Sequence, residues 1–150
     1  MGEVRFHRLE RRRIDQALPA LLERAHQEGR RVVVRAPSRE MVQALNDRLW
    51  TYDDEKFLPH GAAGDGDPMS QPIFLTDKVE NPNAAAMLIL LAGAETHPGD
   101  QAFDPVVRLF DGRDPDAIAE ARSEWKRLKD EGRDLSYWRE DEEGGWKRAR

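Results

Sequence analysis

Two unbroken apolar runs constrain the fold of this chain more than any other feature. Arg31–Ala36 carries Val32-Val33-Val34, and Ala84–Leu91 is apolar from end to end, without a charged residue. A strand with one wet face alternates apolar and polar residues, so a continuous β-branched run suits a strand buried on both faces. Ala84–Leu91 suits a central strand by the same reasoning, with a buried helix as its rival. Strands covered on both sides need helices above and below them.

The intervening segments supply those helices. Ile14, Ala17, Leu18, Leu21, Leu22 and Ala25 recur at helical spacing after the Arg11-Arg12-Arg13 run. Asp15 is the expected N-cap of this helix, Pro19 fits only in a first turn, and Gly29 ends it. Ser38 is the expected N-cap of a second helix, with Met41, Val42, Leu45 and Leu49 on its apolar side. A third spans Asp114–Glu131, with Ile118, Ala121, Trp125 and Leu128 on one face and Gly132 at its end. Val4–Leu9, Ile73–Thr76 and Val106–Phe110 complete the strands, and Gly61–Ser70 reads as a loop. Strands joined by helices of about a dozen residues imply right-handed crossovers and a mostly parallel sheet. The expectation is a three-layer α/β/α domain over residues 1–138, followed by a charged, flexible tail over 139–150.

Composition narrows the function. The chain has 150 residues, 39% apolar and 35% charged, with a formal charge of −5. That charge argues against nucleic-acid binding driven by overall electrostatics, while leaving room for a local basic patch. There are no cysteines, so disulfides and thiolate metal sites are excluded and a reducing cytoplasm is the expected setting. No apolar run is long enough for a transmembrane helix, so no membrane partner is expected.

Chemistry is hard to find. A phosphate-binding loop joins a strand to its helix and carries a Lys-Ser/Thr pair. The Gly61–Pro68 loop joins a helix to a later strand, lacks that pair and carries Asp65 and Asp67. The first strand leads into Leu9-Glu10-Arg11 without a glycine, so a dinucleotide fingerprint is missing too. His7, His26, His60 and His97 are scattered without metal-ligand spacing. His60, in Leu58-Pro59-His60-Gly61, is read as a turn histidine bonded to backbone, since no nucleophile or orienting carboxylate can be placed beside it. No catalytic residue, metal or cofactor is assigned.

Two stretches look built for gripping. Trp50 and Phe57 flank a turn after the second helix, ahead of the Gly/Asp loop and Gln71-Pro72-Ile73. On the third helix Arg122, Lys126, Lys129 and Arg133 recur at three- and four-residue spacing beside Trp125. A cationic stripe next to an indole suits a short acidic peptide with an aromatic end. The ordinary alternative is an amphipathic helix with Trp125 in the core and a solvated stripe.

Trp50, Phe57-Leu58-Pro59-His60, Gln71-Pro72-Ile73 and the helix with Ala121-Arg122, Trp125-Lys126, Gly132 and Leu135 resemble, in order and spacing, the chi subunit of bacterial DNA polymerase III. The resemblance implies a Rossmann-like α/β fold without enzymatic activity of its own. It also implies a cytoplasmic replisome adaptor that binds the acidic C-terminal tail of single-stranded DNA-binding protein, with the psi subunit or the clamp loader as a second partner. DNA contact would be indirect, and the chain alone a monomer. Carried over by position, the tail pocket comprises Trp50, Phe57, Phe110, Arg122 and Trp125. A lysine expected one turn before Arg122 is Ile118 here, and either Lys126 or Lys129 would supply its charge. The rivals from other classes are a nucleotide-binding enzyme on the same sheet and an oligomerisation scaffold with its aromatics in a homo-interface.

Overall fold

The computed structural model describes residues 2–53 and 55–150. The strands are β1 (Val4–Leu9), β2 (Val32–Arg35), β3 (Gly61–Ala62), β4 (Ile73–Thr76), β5 (Met87–Leu91), β6 (Val106–Asp111), β7 (Leu135–Glu140) and β8 (Trp146–Arg148). The helices are α1 (Ile14–Gln27), α2 (Arg39–Thr51) and α3 (Pro115–Asp130). Among the described residues the strands form one eight-stranded sheet, ordered β3-β4-β2-β5-β6-β1-β7-β8. Neighbours run parallel except β7 and β8, which are antiparallel. The expected α/β architecture is the one observed.

Every residue of β2, β4 and β5 is buried, as the apolar runs require. One core layer, with Leu18, Leu22, Leu45, Leu49, Val34 and Ile89, lies under α1 and α2. The other, with Phe6, Val33, Leu88, Phe110, Ala121 and Leu128, lies under α3. The strand order explains this division. From β1 the chain moves one way along the sheet through α1 and α2, then returns through β5 and β6 and crosses from β6 to β7 through α3. Right-handed crossovers in opposite directions put their helices on opposite faces.

Several boundaries differ from the sequence reading. Arg13, not Asp15, caps α1: the Gln16 side chain accepts from the Arg13 N–H at 2.9 Å. Pro19 lies inside α1, beyond the first turn, and is buried. Proline leaves the carbonyl four residues earlier without its helical donor; here that carbonyl, on Asp15, accepts from Arg48 of α2 at 3.4 Å. Ser38 does cap α2, accepting from the Met41 N–H. β5 begins only at Met87, because Ala84 takes φ 53° after the Asn81-Pro82-Asn83 turn, a conformation outside the strand region. The stretch from residue 139, read as a flexible tail, carries the end of β7, a turn and β8. Asp141 makes that turn by accepting from the N–H groups of Glu143 and Gly145 at 2.9 and 2.7 Å, with Gly144 at φ 83°. A run of acidic residues hid a hairpin.

Candidate functional site

Leu45 and Leu49 anchor the last turns of α2 in the core, which turns the adjacent Trp50 away from it. Trp50 is 56% exposed and Phe57 71%. Their ring centres lie 5.8 Å apart, and the His60 ring lies 4.6 Å from Trp50. His60 itself is buried, with Nδ1 2.7 Å from the Leu58 carbonyl and Nε2 3.2 Å from the Asn46 carbonyl. Both partners are acceptors, so a neutral ring donates to one at a time. This is the turn histidine the sequence indicates, and it also serves as the plate on which Trp50 rests.

The Gly/Asp loop backs this cluster. Asp65 accepts from the Asn46 side-chain amide and the Ala62 N–H at 3.1 and 3.0 Å, and its own carbonyl accepts from Gln71. Gly61 lies close beneath the Gln71 side chain, whose amide carbon would stand 2.8 Å from a Cβ there and would have to move aside. The result is an open cleft of about 470 Å³ lined by Trp50, Phe57, Pro59, His60 and Gln71. Two exposed aromatics on a braced turn give this cleft an apolar rim.

The third helix presents the second group. Arg122, Lys126 and Lys129 are exposed and take part in no ion pair among the described residues. Trp125 is half-buried, its ring meeting Phe6 edge-on at 5.2 Å and Tyr137 at 5.9 Å. Ile118 is half-buried against the same core layer. Phe110 is 1% exposed and meets Tyr137 at 6.4 Å, so it lies beneath this surface and does not line it. Tyr137, absent from the sequence-based set, joins the aromatic group because β7 lies beside β1; only strand order could have revealed it.

The expected single groove does not exist as one surface. Trp50 and Phe57 belong to the face under α1 and α2, and Arg122, Trp125 and Lys126 to the face under α3, with the sheet between them. The residues expected to form two walls of one pocket form two surfaces on opposite sides.

Beneath α3 the sheet holds buried charge. Arg108 of β6 reaches Glu124 through Nε and Nη2 at 3.0 and 2.6 Å and the Leu91 carbonyl at 2.7 Å. Arg35 of β2 makes a similar two-point bond to Asp100 at 2.9 and 3.1 Å. Both guanidinium groups are enclosed and held by protein acceptors, with Arg35 Nε alone left without a partner among the described residues, so they position elements of the fold.

The family model described as DNA polymerase III chi subunit, HolC, matches residues 1–136. A protein of Rickettsia prowazekii (strain Madrid E), named probable DNA polymerase III subunit chi, is 34% identical over 77 residues, 51% of this chain and 47% of its own length. The chain thus matches about half the length of that relative. The family match extends over nine-tenths of the sequence, and the chain belongs to the DNA polymerase III chi subunit family.

Proposed function

We propose that this chain is a non-enzymatic accessory subunit of DNA replication that links the polymerase III clamp loader to single-stranded DNA-binding protein in the cytoplasm. The observation that carries the reading is the α3 surface: Arg122, Lys126 and Lys129, free of ion pairs among the described residues, beside the half-exposed ring of Trp125. Arg122 would hold carboxylates of an acidic tail bidentately, and Trp125 would give its aromatic end an apolar contact. Lys126, one turn from Arg122, supplies the charge that Ile118 does not. Phe110 supports the rings above it from the core.

Trp50 and Phe57 are then free for the other partner, psi or the clamp loader itself. An adaptor must hold two things at once, and surfaces on opposite faces allow that without collision. The chain alone is a monomer in this reading.

Calorimetry with a peptide ending in Asp-Asp-Ile-Pro-Phe tests the assignment. We expect micromolar affinity, on the order of −8 kcal/mol, weakening as salt is raised. Arg122→Ala should lower it roughly tenfold or more, equivalent to about 1.4 kcal/mol, while Trp50→Ala leaves it unchanged. Loss of binding in Trp50→Ala with normal binding in Arg122→Ala would move the tail to the other face.

A further inference from the structure

On the α1/α2 face the helices do not extend over the whole sheet. α2 packs on β3 and β4, and α1 on β6. Between α1 and the β7–β8 edge lies a cleft of about 660 Å³, whose lining includes His7 of β1, Trp138 of β7 and Trp146 of β8. The family match ends at residue 136, so both tryptophans lie outside the part of the chain that the family describes.

Three observations give this cleft a chemistry. The first is aromatic. The His7 ring lies nearly parallel to Trp138 at 6.0 Å and edge-on to Trp146 at 4.5 Å. Trp138 is fixed by donating from Nε1 to Ser136 at 2.9 Å. Rings held on a sheet surface present flat faces on which a base can stack.

The second is an unmet hydrogen-bonding demand. His7 is 7% exposed, and neither ring nitrogen has a hydrogen-bond partner among the described residues. Burial, reinforced by the nearby Arg5 charge, pushes its pKa down to about 4, so the ring is neutral near pH 7. A neutral imidazole offers one donor and one acceptor. A nucleobase edge can answer both, whereas a peptide carboxylate only accepts.

The third is charge. Arg24 and Arg30, on the rim, share the single carboxylate of Glu28 through their Nε atoms at 3.3 and 3.5 Å. Two guanidinium groups against one carboxylate leave a positive surplus on a chain whose formal charge is −5.

We propose that this cleft binds single-stranded nucleic acid directly, with a base against Trp138 and Trp146 and flanking phosphates on Arg24 and Arg30. The inference is independent of the tail-binding surface, which lies on the opposite face. It adds a direct contact to an attachment otherwise made through a protein tail.

Fluorescence anisotropy of a labelled thymidine oligonucleotide, about twelve residues long, tests it on the full chain. At low salt we expect saturable binding below about 100 μM, with log affinity falling against log salt at a slope of about −1.4 for two phosphates. Arg24→Glu and Trp138→Ala should each weaken binding roughly tenfold. Trp138→Phe should restore most of the loss, while Arg122→Ala and Trp50→Ala change nothing. Retained folding of each variant is checked by circular dichroism. No anisotropy change up to that concentration overturns the proposal, as does undiminished binding by Arg24→Glu together with Trp138→Phe and Trp138→Ala alike. So does a cleft that takes the acidic, aromatic-ended peptide in an Arg24-dependent way and no oligonucleotide.

Discussion

Glu140 does more for the fold than its place in an acidic segment implies. One of its oxygens accepts from three successive backbone N–H groups, those of Glu10, Arg11 and Arg12, at 3.0, 2.8 and 3.1 Å. The other takes the Arg12 guanidinium. Burial opposes ionisation of this carboxyl, but the Arg12 side chain and the backbone donors outweigh it and hold its pKa at about 2. A carboxylate depressed below its ordinary value of 4.5 contributes stability that is present above that value and lost as pH falls toward 2. Glu140→Gln should therefore cost about 2–3 kcal/mol at neutral pH. Urea denaturation across pH checks this, and the gap between variant and wild type should close between about 4.5 and 2. None of this was legible in the sequence, where Glu140 opens a run of four acidic residues and its partners lie on a turn after β1. His60 was legible, because a histidine between proline and glycine has backbone carbonyls within easy reach.

At the scale of elements, α3 is attached by both oil and charge. Its apolar face was readable from periodicity: Ala117, Ala121 and Leu128 are buried against the sheet. Glu124, on the same helix, is equally buried: its spacing puts it on that face, although a carboxylate would ordinarily be placed in water. Its partner Arg108 sits in the middle of an otherwise apolar strand, so neither residue explains itself until β6 and α3 are packed together. Removing one member leaves a buried charge, so Glu124→Ala should destabilise the protein by about 3–5 kcal/mol. The paired replacement Arg108→Met with Glu124→Leu should recover most of that, as read by denaturant midpoints. The β7–β8 hairpin was missed for a related reason. Its turn is made by Asp141 and two glycines, and charge-rich composition masked the alternation of Trp138 and Glu140 with their neighbours.

At the scale of the molecule, the sequence identified the three helices and five of the eight strands, missing β3, β7 and β8, but not which face each helix covers. Helix faces are decided by strand order, and strand order depends on pairings between distant segments such as Val4 with Val106 and Leu135. Hence Trp50 with Phe57, and Arg122 with Trp125, expected to share one groove, lie on opposite faces of the sheet. Their separation replaces the one expected pocket with two surfaces on opposite faces of the sheet.

The place of β1 between β6 and β7 also carries a consequence for how the protein comes into being. The first strand to leave the ribosome finds its partners only once the last third of the chain is being made. Until then Phe6, fully buried in the finished molecule, lacks the β6 and α3 side chains, Trp125 among them, that cover it. Such distant pairing makes folding slow and keeps partial chains open. A fragment ending at residue 105 should accordingly show no dispersed amide spectrum by nuclear magnetic resonance, although it holds α1, α2 and five of the strands. Birth of this molecule is a late event, and anything that stalls translation before β6 leaves a nascent chain for the chaperones.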